Sequence, residues 1–198
     1  MNLDKDCSFK VYDDAIMARS IPFDCGEPDL NDFFLNEALD YSLQLLGRSY
    51  CFVNKKKPSE IVTIFTISNA SIKVSNLPNN ARRRLGKAIP WSKQGNNYPA
   101  VLIGRLGVSL NYIRHGVGTQ VLGFIKTWFI DSKNKTGCRF VIVDAYNKSQ
   151  ALDFYIKNGF NFLFKDEVAE KEYNGIASDG NLKTRQMYFD LITYRQAF

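Results

Sequence analysis

The amino-acid sequence predicts an α/β protein, and three observations support this class. Strand-like and helix-like patterns alternate through residues 100–160, beginning with the apolar run Ala100–Val108. Arg48–Asn54 and Glu60–Ser68 have the composition of two antiparallel strands joined by a lysine-rich hairpin tip. Thr184–Leu191 alternates as a closing strand does. Together these segments predict one sheet with helices packed against it.

The composition is that of one globular domain spanning residues 1–198. The chain has 45% hydrophobic and 23% charged residues, which are ordinary values for a folded domain. No apolar run approaches the roughly 18 residues of a membrane span, and the polar start is unlike a signal peptide, so we expect a cytoplasmic protein. Four isolated cysteines favour reduced, mostly buried thiols over a disulfide framework or a zinc site: Cys7, Cys25, Cys51 and Cys138.

The first part of the chain predicts a strand and a helix. Phe9–Ile16 is predicted as a strand or an extended arm. A helix is predicted from Glu27 to Gly47, because a proline stands in its first turn and acidic residues lie near its positive end. The apolar face of this helix is predicted to consist of Leu30, Phe33, Phe34, Ala38, Tyr41 and Leu45.

Residues 72–99 form a basic segment that is predicted as a long connection. The segment contains no acidic residue, whereas the first forty residues carry ten acids and three bases, a net charge of −7 that leaves +13 for the rest. This asymmetry suggests an anionic partner for the basic part. Arginines interleaved with exposed aromatic residues suit RNA, and the alternative is a short surface helix. The residues concerned are Arg82, Arg83, Arg84 and Lys87, with Trp91, Lys93 and Tyr98.

A glycine-rich turn opens the central predicted helix at His115–Thr119. Gly116 and Gly118 lie where strand gives way to helix, so uncovered N–H groups would favour an anion such as a pyrophosphate. The spacing fits neither a P-loop nor the dinucleotide fingerprint, which predicts a phosphate-bearing cofactor of another kind. The apolar face of the helix is predicted to be Val117, Val121, Leu122, Ile125, Trp128 and Phe129.

A second strand and a short helix follow. Arg139–Ala145 has the apolar character of a buried strand, and Ser149–Phe160 contains a helix closed by a glycine. Asn161–Lys165 is predicted as a strand and Asp166–Lys183 as a charged loop.

The chain has a single histidine, His115, and this limits the chemistry. A His-dependent catalytic triad or a His-rich metal centre would have to use this residue, which lies in the glycine-rich turn. A neutral side chain beside phosphate is its favoured role there. We therefore expect neither a hydrolase of the triad type nor a metal site.

Residues 100–160 resemble the GNAT N-acetyltransferases. In that family a Q/R-x-x-G-x-G/A loop holds the pyrophosphate of acetyl-coenzyme A, and an A-x-x-x-Y-x-x-x-G-F segment places a tyrosine near the cofactor sulfur. Residues 113–118 align with the loop, but Ile113 stands where the family has Gln or Arg, and Arg114 comes one place later. Ala151–Phe160 matches the second segment, with Tyr155 as its tyrosine. The resemblance implies a single GNAT-type domain, with a mixed, mostly antiparallel central sheet flanked by helices on both faces.

The resemblance also implies acetyl-coenzyme A as cofactor and a role for each matching residue. The end of the strand would pair with the pantetheine arm, and the loop would hold the pyrophosphate. Tyr155 would be the general acid, because a phenol with a pKa of about 10 is protonated at neutral pH and can donate to a leaving thiolate. The implied cofactor-binding residues are Leu106, Gly107, Val108, Ile113, Arg114, His115, Gly116, Val117, Gly118 and Thr119.

The sequence offers no obvious carboxylate base for the acceptor amine. Asp144 is a candidate, but the pattern of its strand does not fix the direction of its side chain. An α-amino group has a pKa of about 8 and is partly neutral without help, whereas a lysine, at about 10.4, is not. The acceptor is therefore predicted to be an α-amine.

The resemblance extends to the acetyltransferase toxins of bacterial toxin–antitoxin pairs. Those toxins acetylate the α-amino group of aminoacyl-tRNA, are silenced by a small DNA-binding antitoxin and are often dimeric, so the resemblance implies all three partners. Arg82, Arg83, Arg84 and Lys87 are the candidate tRNA contacts. Two alternatives stay open: a GNAT enzyme acting on a small amine or a protein N-terminus, and a non-catalytic GNAT-fold binding module. The resemblance is carried by Phe23–Gly26, Arg48–Val53, Ile103–Val108, the loop glycines and Ala151–Phe160.

Overall fold

The computed structural model describes residues 1–87, 89–90 and 95–196. The strands are β1 (Cys7–Val11), β2 (Arg48–Asn54), β3 (Ile61–Lys73), β4 (Asn97–Val108), β5 (Phe140–Tyr146), β6 (Asn161–Phe162) and β7 (Thr184–Asp190). The α-helices are α1 (Leu3–Asp6), α2 (Asp14–Arg19), α3 (Pro28–Asp32), α4 (Ala38–Leu43), α5 (Asn79–Gly86), α6 (Val117–Ile130), α7 (Ser149–Lys157), α8 (Glu167–Asn174) and α9 (Leu191–Arg195). A π-helix, Phe33–Glu37, joins α3 to α4, and 3₁₀ turns span Val74–Asn76 and Leu110–Tyr112.

The strands hydrogen-bond in the order β1-β2-β3-β4-β5-β7-β6. The pairs β1–β2, β2–β3, β5–β7 and β6–β7 are antiparallel. This arrangement confirms the predicted α/β class with a mixed, mostly antiparallel sheet. The chain divides into two compact units, Met1–Asn69 with Ile103–Trp128, and Ala70–Leu102 with Phe129–Phe198. A single domain over residues 1–198 stays a prediction.

The core of the first unit forms between its strands and α6. Three residues on the predicted apolar face of α6, Val121, Leu122 and Ile125, are fully buried. Phe124 and Trp128, one helical turn apart, pack their rings 4.7 and 5.3 Å from that of Phe9 on β1. The aromatic cluster is completed by Tyr50, Phe52 and Phe65. Large rings recurring at helical and strand spacing thus hold α6 against the β1–β2–β3 sheet.

The predicted helix 27–47 begins as expected but stops early. Pro28 occupies its first turn, and α4 ends at Leu43. Leu45 takes a left-handed conformation with φ +60°, and the Leu46 N–H reaches back to the Tyr41 carbonyl at 3.1 Å. This is a Schellman ending with leucine where glycine is usual. Leu45 is 86% exposed, so its placement on the apolar face is wrong.

Gly47, expected to end this helix, is needed for a different reason. A Cβ there would lie 2.6 Å from the Tyr41 ring and 2.9 Å from the Ile67 carbonyl oxygen. The close approach of the chain to β3 therefore requires glycine. Upstream, the predicted strand Phe9–Ile16 ends at Val11, because Asp13 caps α2 by accepting the Ile16 N–H at 2.8 Å.

The described parts of the basic segment 72–99 include the end of one strand, a helix and the start of another strand, and they belong to the second unit. β3 runs on to Lys73, α5 occupies Asn79–Gly86, and β4 begins at Asn97. The segment supplies much of a core cluster: Ile72, Val74, Leu77, Ala81, Leu85, Ile89 and Tyr98, packed with Phe140, Leu163 and Phe164. The alternative prediction for this segment, a short surface helix, is therefore confirmed at Asn79–Gly86. Tyr98 is only 7% exposed, so its predicted exposure is wrong, while Trp91 and Lys93 lie outside the described residues.

The predicted loop 166–183 contains a complete helix, α8, which corrects that prediction. Asp166 caps it by accepting the Ala169 N–H at 2.9 Å, and Gly175 ends it with φ +67°. The predicted strand 161–165 is shortened to Asn161–Phe162. The segment was predicted as a loop because it is polar and rich in acidic residues. Acidic residues in the first turn of a helix are in fact stabilising, because they interact with the positive end of the helix dipole.

All four cysteines carry free thiols. Burial raises the pKa of the Cys51 thiol to about 12, which keeps it protonated and unreactive.

In the described part of the chain, no helix is long and apolar enough to cross a membrane.

Candidate active site

The end of β4 carries the predicted cofactor strand, Leu106–Val108, in the first unit. Leu106 and Val108 are half-buried, and Gly107 is buried. The Gly107 carbonyl accepts a hydrogen bond from the Thr63 hydroxyl at 2.7 Å. A Cβ on Gly107 would lie 3.1 to 3.2 Å from the side chains of Phe23, Cys25 and Phe34. Packing against these side chains therefore explains the glycine.

We expect Gly107→Ala to destabilise the fold by about 1–3 kcal/mol, because three side chains would have to yield at once. Gly104→Ala is the matched control on the same strand, since the nearest atom to its Cβ would be the Thr66 carbonyl oxygen at 3.9 Å. Urea unfolding of both variants measures the difference. Equal midpoints for the two variants would show that the contacts at Gly107 relax without cost.

The predicted anion loop leads directly into α6. Arg114 and Gly116 adopt left-handed conformations, with φ +62° and +71°. Ile113 to Gly116 are exposed, whereas the Val117 side chain is buried, so only the backbone of Val117 can reach a ligand. α6 begins at Val117, and its first N–H groups have no earlier carbonyl within the helix to bond. A Cβ at Gly116 would have no atom within 4 Å, which leaves the backbone open to an anion.

A hydrogen-bond network fixes the residue that precedes this loop. The Tyr112 hydroxyl donates to the Glu60 carboxylate and accepts from the Asn54 side-chain amide at 2.8 Å. Lys57 adds an ion pair to Glu60 at 2.9 Å. Partial burial, and next the bond to Glu60, raise the pKa of Tyr112. Sequence reasoning missed Glu60 and Asn54, which lie 52 and 58 positions before Tyr112 and carry no local signal.

Tyr155 lies on α7 in the second unit, where the matched segment has a clear structural meaning. Gly159 is left-handed with φ +82°, and the Phe160 N–H bonds to the Tyr155 carbonyl at 3.0 Å, which makes another Schellman ending. The Tyr155 ring packs between Phe154 and Phe160, at centroid distances of 5.0 and 5.3 Å. Burial raises the pKa of Tyr155 above its ordinary value, so the phenol stays protonated at neutral pH.

The four candidate cations divide into two pairs around α5. Arg82 donates to the carbonyls of Leu77 and Ser75, and Arg84 donates to those of Phe162 and Leu163, with the shortest contacts 2.6 and 2.7 Å. Arg83 lies on the opposite face from the buried Ala81 and Leu85, and Lys87 follows it one turn later. Within the described residues, neither side chain has a protein partner. All four cations are exposed, and Arg83 and Lys87 are the two whose charged groups are not already bonded to described residues.

Asp144, the candidate base, lies between two buried neighbours on β5 and is itself exposed. Its carboxylate accepts a hydrogen bond from the Gln186 side-chain amide at 3.2 Å. No group of three or more His, Cys, Asp or Glu side chains in the part of the chain that the structure describes could hold a metal ion.

The fold is that of the GNAT acetyltransferases, which confirms the resemblance predicted from the sequence. The chain is similar to KacT, solved with a tyrosine-to-phenylalanine substitution, at a TM-score of 0.71 and 19% identity over 98% of this chain and 100% of KacT. It is similar to AtaT in complex with acetyl-methionyl-tRNAfMet at 0.67 and 18%, over 98% and 99% of the two chains. A third similar structure, AtaTR bound with acetyl-coenzyme A, gives 0.62 and 17%, over 98% of each chain. No protein-family model matches the sequence.

Proposed function

We propose that this protein is an acetyl-coenzyme A-dependent N-acetyltransferase that acts in the cytoplasm as the toxin of a toxin–antitoxin pair. Its acceptor is the α-amino group of aminoacyl-tRNA. The observation that carries the proposal is the junction at 113–119, where an exposed left-handed turn presents the first N–H groups of a fourteen-residue helix. The ligands in the AtaT structures, acetyl-methionyl-tRNAfMet and acetyl-coenzyme A, support the same chemistry here.

The residues present fit the cofactor. Acetyl-coenzyme A would supply the acetyl group as a thioester. The open backbone at Gly116 and the start of α6 would hold its pyrophosphate, because unpaired N–H groups and the helix dipole both favour negative charge. The backbone of Leu106–Val108 would hold the pantetheine arm.

Tyr155 would act as the general acid. Its raised pKa holds a proton on the phenol oxygen at neutral pH, and this proton can be donated to a leaving thiolate. KacT and AtaT were each solved with one tyrosine replaced by phenylalanine, which supports testing a tyrosine first in this chain.

An α-amine acceptor suits a site whose candidate base is Asp144. Asp144 is exposed and shares its carboxylate with Gln186, while an α-amine with a pKa of about 8 needs little help to lose its proton. Arg83 and Lys87 would contact the phosphates of the tRNA.

A protein antitoxin is the proposed partner. AtaT was solved with the C-terminus of the antitoxin AtaR, and a KacTA complex was solved on DNA, at 15% and 21% identity to this chain. These structures support a small DNA-binding antitoxin. A homodimer stays a prediction from the resemblance.

The test is transfer of labelled acetyl from acetyl-coenzyme A to total charged tRNA. We expect the label on the aminoacyl end. Arg83→Ala/Lys87→Ala should weaken tRNA binding and reduce the slope of log K against log salt by about 2, one for each phosphate contact. Lys133→Ala/Lys135→Ala removes two exposed cations elsewhere and is the charge-matched control.

Cofactor binding without label on charged tRNA would contradict the tRNA acceptor and favour the alternative of a small amine or a protein N-terminus. Equal salt slopes for the two double variants would remove Arg83 and Lys87 from the tRNA contacts. A chain that does not bind acetyl-coenzyme A would favour the non-catalytic binding module.

A further inference from the structure

A cavity of about 350 Å³ in the first unit borders the predicted anion loop and shares one residue, His115, with it. Its lining includes Asn54 and Lys56 from the β2–β3 hairpin, Asn111 and Tyr112 from the 3₁₀ turn, and His115 from the loop. This volume is at the lower end of small-molecule sites and is ample for a phosphate group.

The three lysines of the hairpin tip have different partners. Lys55 donates to the carbonyls of Asp4 and Lys5 at 3.2 and 2.9 Å, and Lys57 pairs with Glu60 at 2.9 Å. The Lys56 side chain is exposed and lines the cavity, and among the described residues it has no protein partner. Lys56 is therefore the hairpin lysine whose charge is open to a ligand.

The backbone that carries Lys56 is fixed in place. The Asn54 side-chain oxygen accepts the N–H groups of Lys56 and Lys57 at 2.9 and 3.3 Å, while its amide group donates to the Tyr112 hydroxyl at 2.8 Å. Asn54 thus links the tip of the hairpin to the turn before the anion loop. A ligand that contacts both would meet groups already held in position, which lowers the entropic cost of binding.

The other polar groups of the cavity also suit an anion. His115 Nδ1–H donates to the Ile113 carbonyl oxygen at 2.8 Å, so Nε2 of the neutral ring is an acceptor and can bond a protonated phosphate oxygen. Asp6 also lines the cavity and contributes an opposing charge, and its Oδ2 accepts the Asn2 N–H at 2.8 Å. The side-chain amide of Asn111 supplies a neutral donor.

We infer that this cavity is a second phosphate-binding site, with Lys56 as its cation, Asn111 as its hydrogen-bond donor and His115 at its edge. The identity of the ligand rests on the proposed function. A coenzyme A molecule carries a phosphate on its ribose in addition to its pyrophosphate, and tRNA carries phosphodiesters. Both sources present the same chemistry to Lys56.

Titration calorimetry with four probes tests the inference: coenzyme A, 3′-dephospho-coenzyme A, a tRNA acceptor-stem minihelix and inorganic pyrophosphate. Lys56→Ala should weaken at least one phosphate probe about fivefold to tenfold, the effect of one partly solvated charge-assisted hydrogen bond. Lys56→Arg should restore most of that loss. Lys55→Ala removes the same charge from the adjacent residue, whose ammonium is bound to carbonyls, and should change affinity less than twofold.

The probes separate the two sources. A loss with coenzyme A that disappears with the dephospho form assigns the site to the ribose phosphate, and a loss with the minihelix alone assigns it to nucleic acid. The inference is overturned if Lys56→Ala matches wild type with every probe, if Lys55→Ala is equally weakened, or if wild type binds no probe. Pyrophosphate binding that depends on Lys56, in a chain unable to transfer acetyl groups, would instead contradict only the proposed function.

Discussion

Replacing Tyr155 by phenylalanine is expected to lower kcat for acetyl transfer by at least about 100-fold, with little change in the KM for acetyl-coenzyme A. A positioned general acid contributes about 10²–10⁴-fold, and phenylalanine removes only the oxygen that carries the proton. The ring would keep its contacts with Phe154 and Phe160, so the fold should be retained.

The pH profile follows from the raised pKa of Tyr155. The acid must be protonated to act, and burial moves its loss of the proton above the ordinary value of 10, so Tyr155 should cause no fall in rate below about pH 10. The rate should instead rise with pH as the acceptor α-amine, with a pKa near 8, loses its proton.

Steady-state kinetics on wild type and two tyrosine variants measure these effects. Tyr173→Phe is the matched control, because Tyr173 is 39% exposed and its ring would keep its contact with Phe164 at 4.9 Å. If Tyr155→Phe keeps the wild-type kcat, the acid is another group. A decrease in rate that begins near neutral pH as the pH rises, and that disappears in Tyr155→Phe, would contradict the raised pKa of Tyr155.

The second large effect concerns stability: Glu170→Gln is expected to cost about 3–5 kcal/mol of the free energy of unfolding. Glu170 and Arg185 are 1% and 7% exposed and form an ion pair at 2.6 Å. The Gln186 N–H also donates to the Glu170 carboxylate at 2.6 Å. Neutralising Glu170 leaves the buried guanidinium without its main counter-charge, since Glu167 lies 3.9 Å away and is half exposed.

Thermal unfolding should show the loss as a fall in Tm of roughly 6–20 °C, at about 2–4 °C per kcal/mol. Glu172→Gln, at an exposed position of the same helix, should change Tm by about 2 °C or less. The double variant Glu170→Leu/Arg185→Met replaces both charges and should recover much of the loss, because no unpaired charge stays buried. A double variant as unstable as Glu170→Gln would show that packing, and not the stranded charge, sets the cost.

Segments with strong local signals could be predicted from the sequence. The observed starts of β2, β4 and β5 lie within three residues of the predicted ones, and that of β2 coincides with it. The spacing of Val121, Leu122 and Ile125 identified the buried face of α6. The segment ending in Gly159 and Phe160 is equally local, because a Schellman ending is formed by six consecutive residues. The roles of Tyr155 and of the 113–119 loop stay predictions.

Segments whose local signal conflicts with their tertiary role could not be predicted. α8 is rich in acids and was predicted as a loop, yet buried Glu170 pairs with an arginine fifteen residues further along the chain. Leu45 adopts a conformation usually left to glycine, and Gly47 serves a close approach to β3. Arg82, Arg83 and Arg84 look equivalent in sequence, but two of them bind backbone carbonyls.

The sequence by itself determined the fold class, the order of most strands and helices, and the family whose motifs the central segment resembles, because periodicity and helix endings depend on neighbouring residues. Only the tertiary structure decided which charges are available to a ligand. Lys56 and Arg83 are exposed without partners among the described residues, while Lys55, Arg82 and Arg84 are bound to carbonyls. Hydrogen bonds between residues far apart in the chain fix these differences, and no local pattern records them.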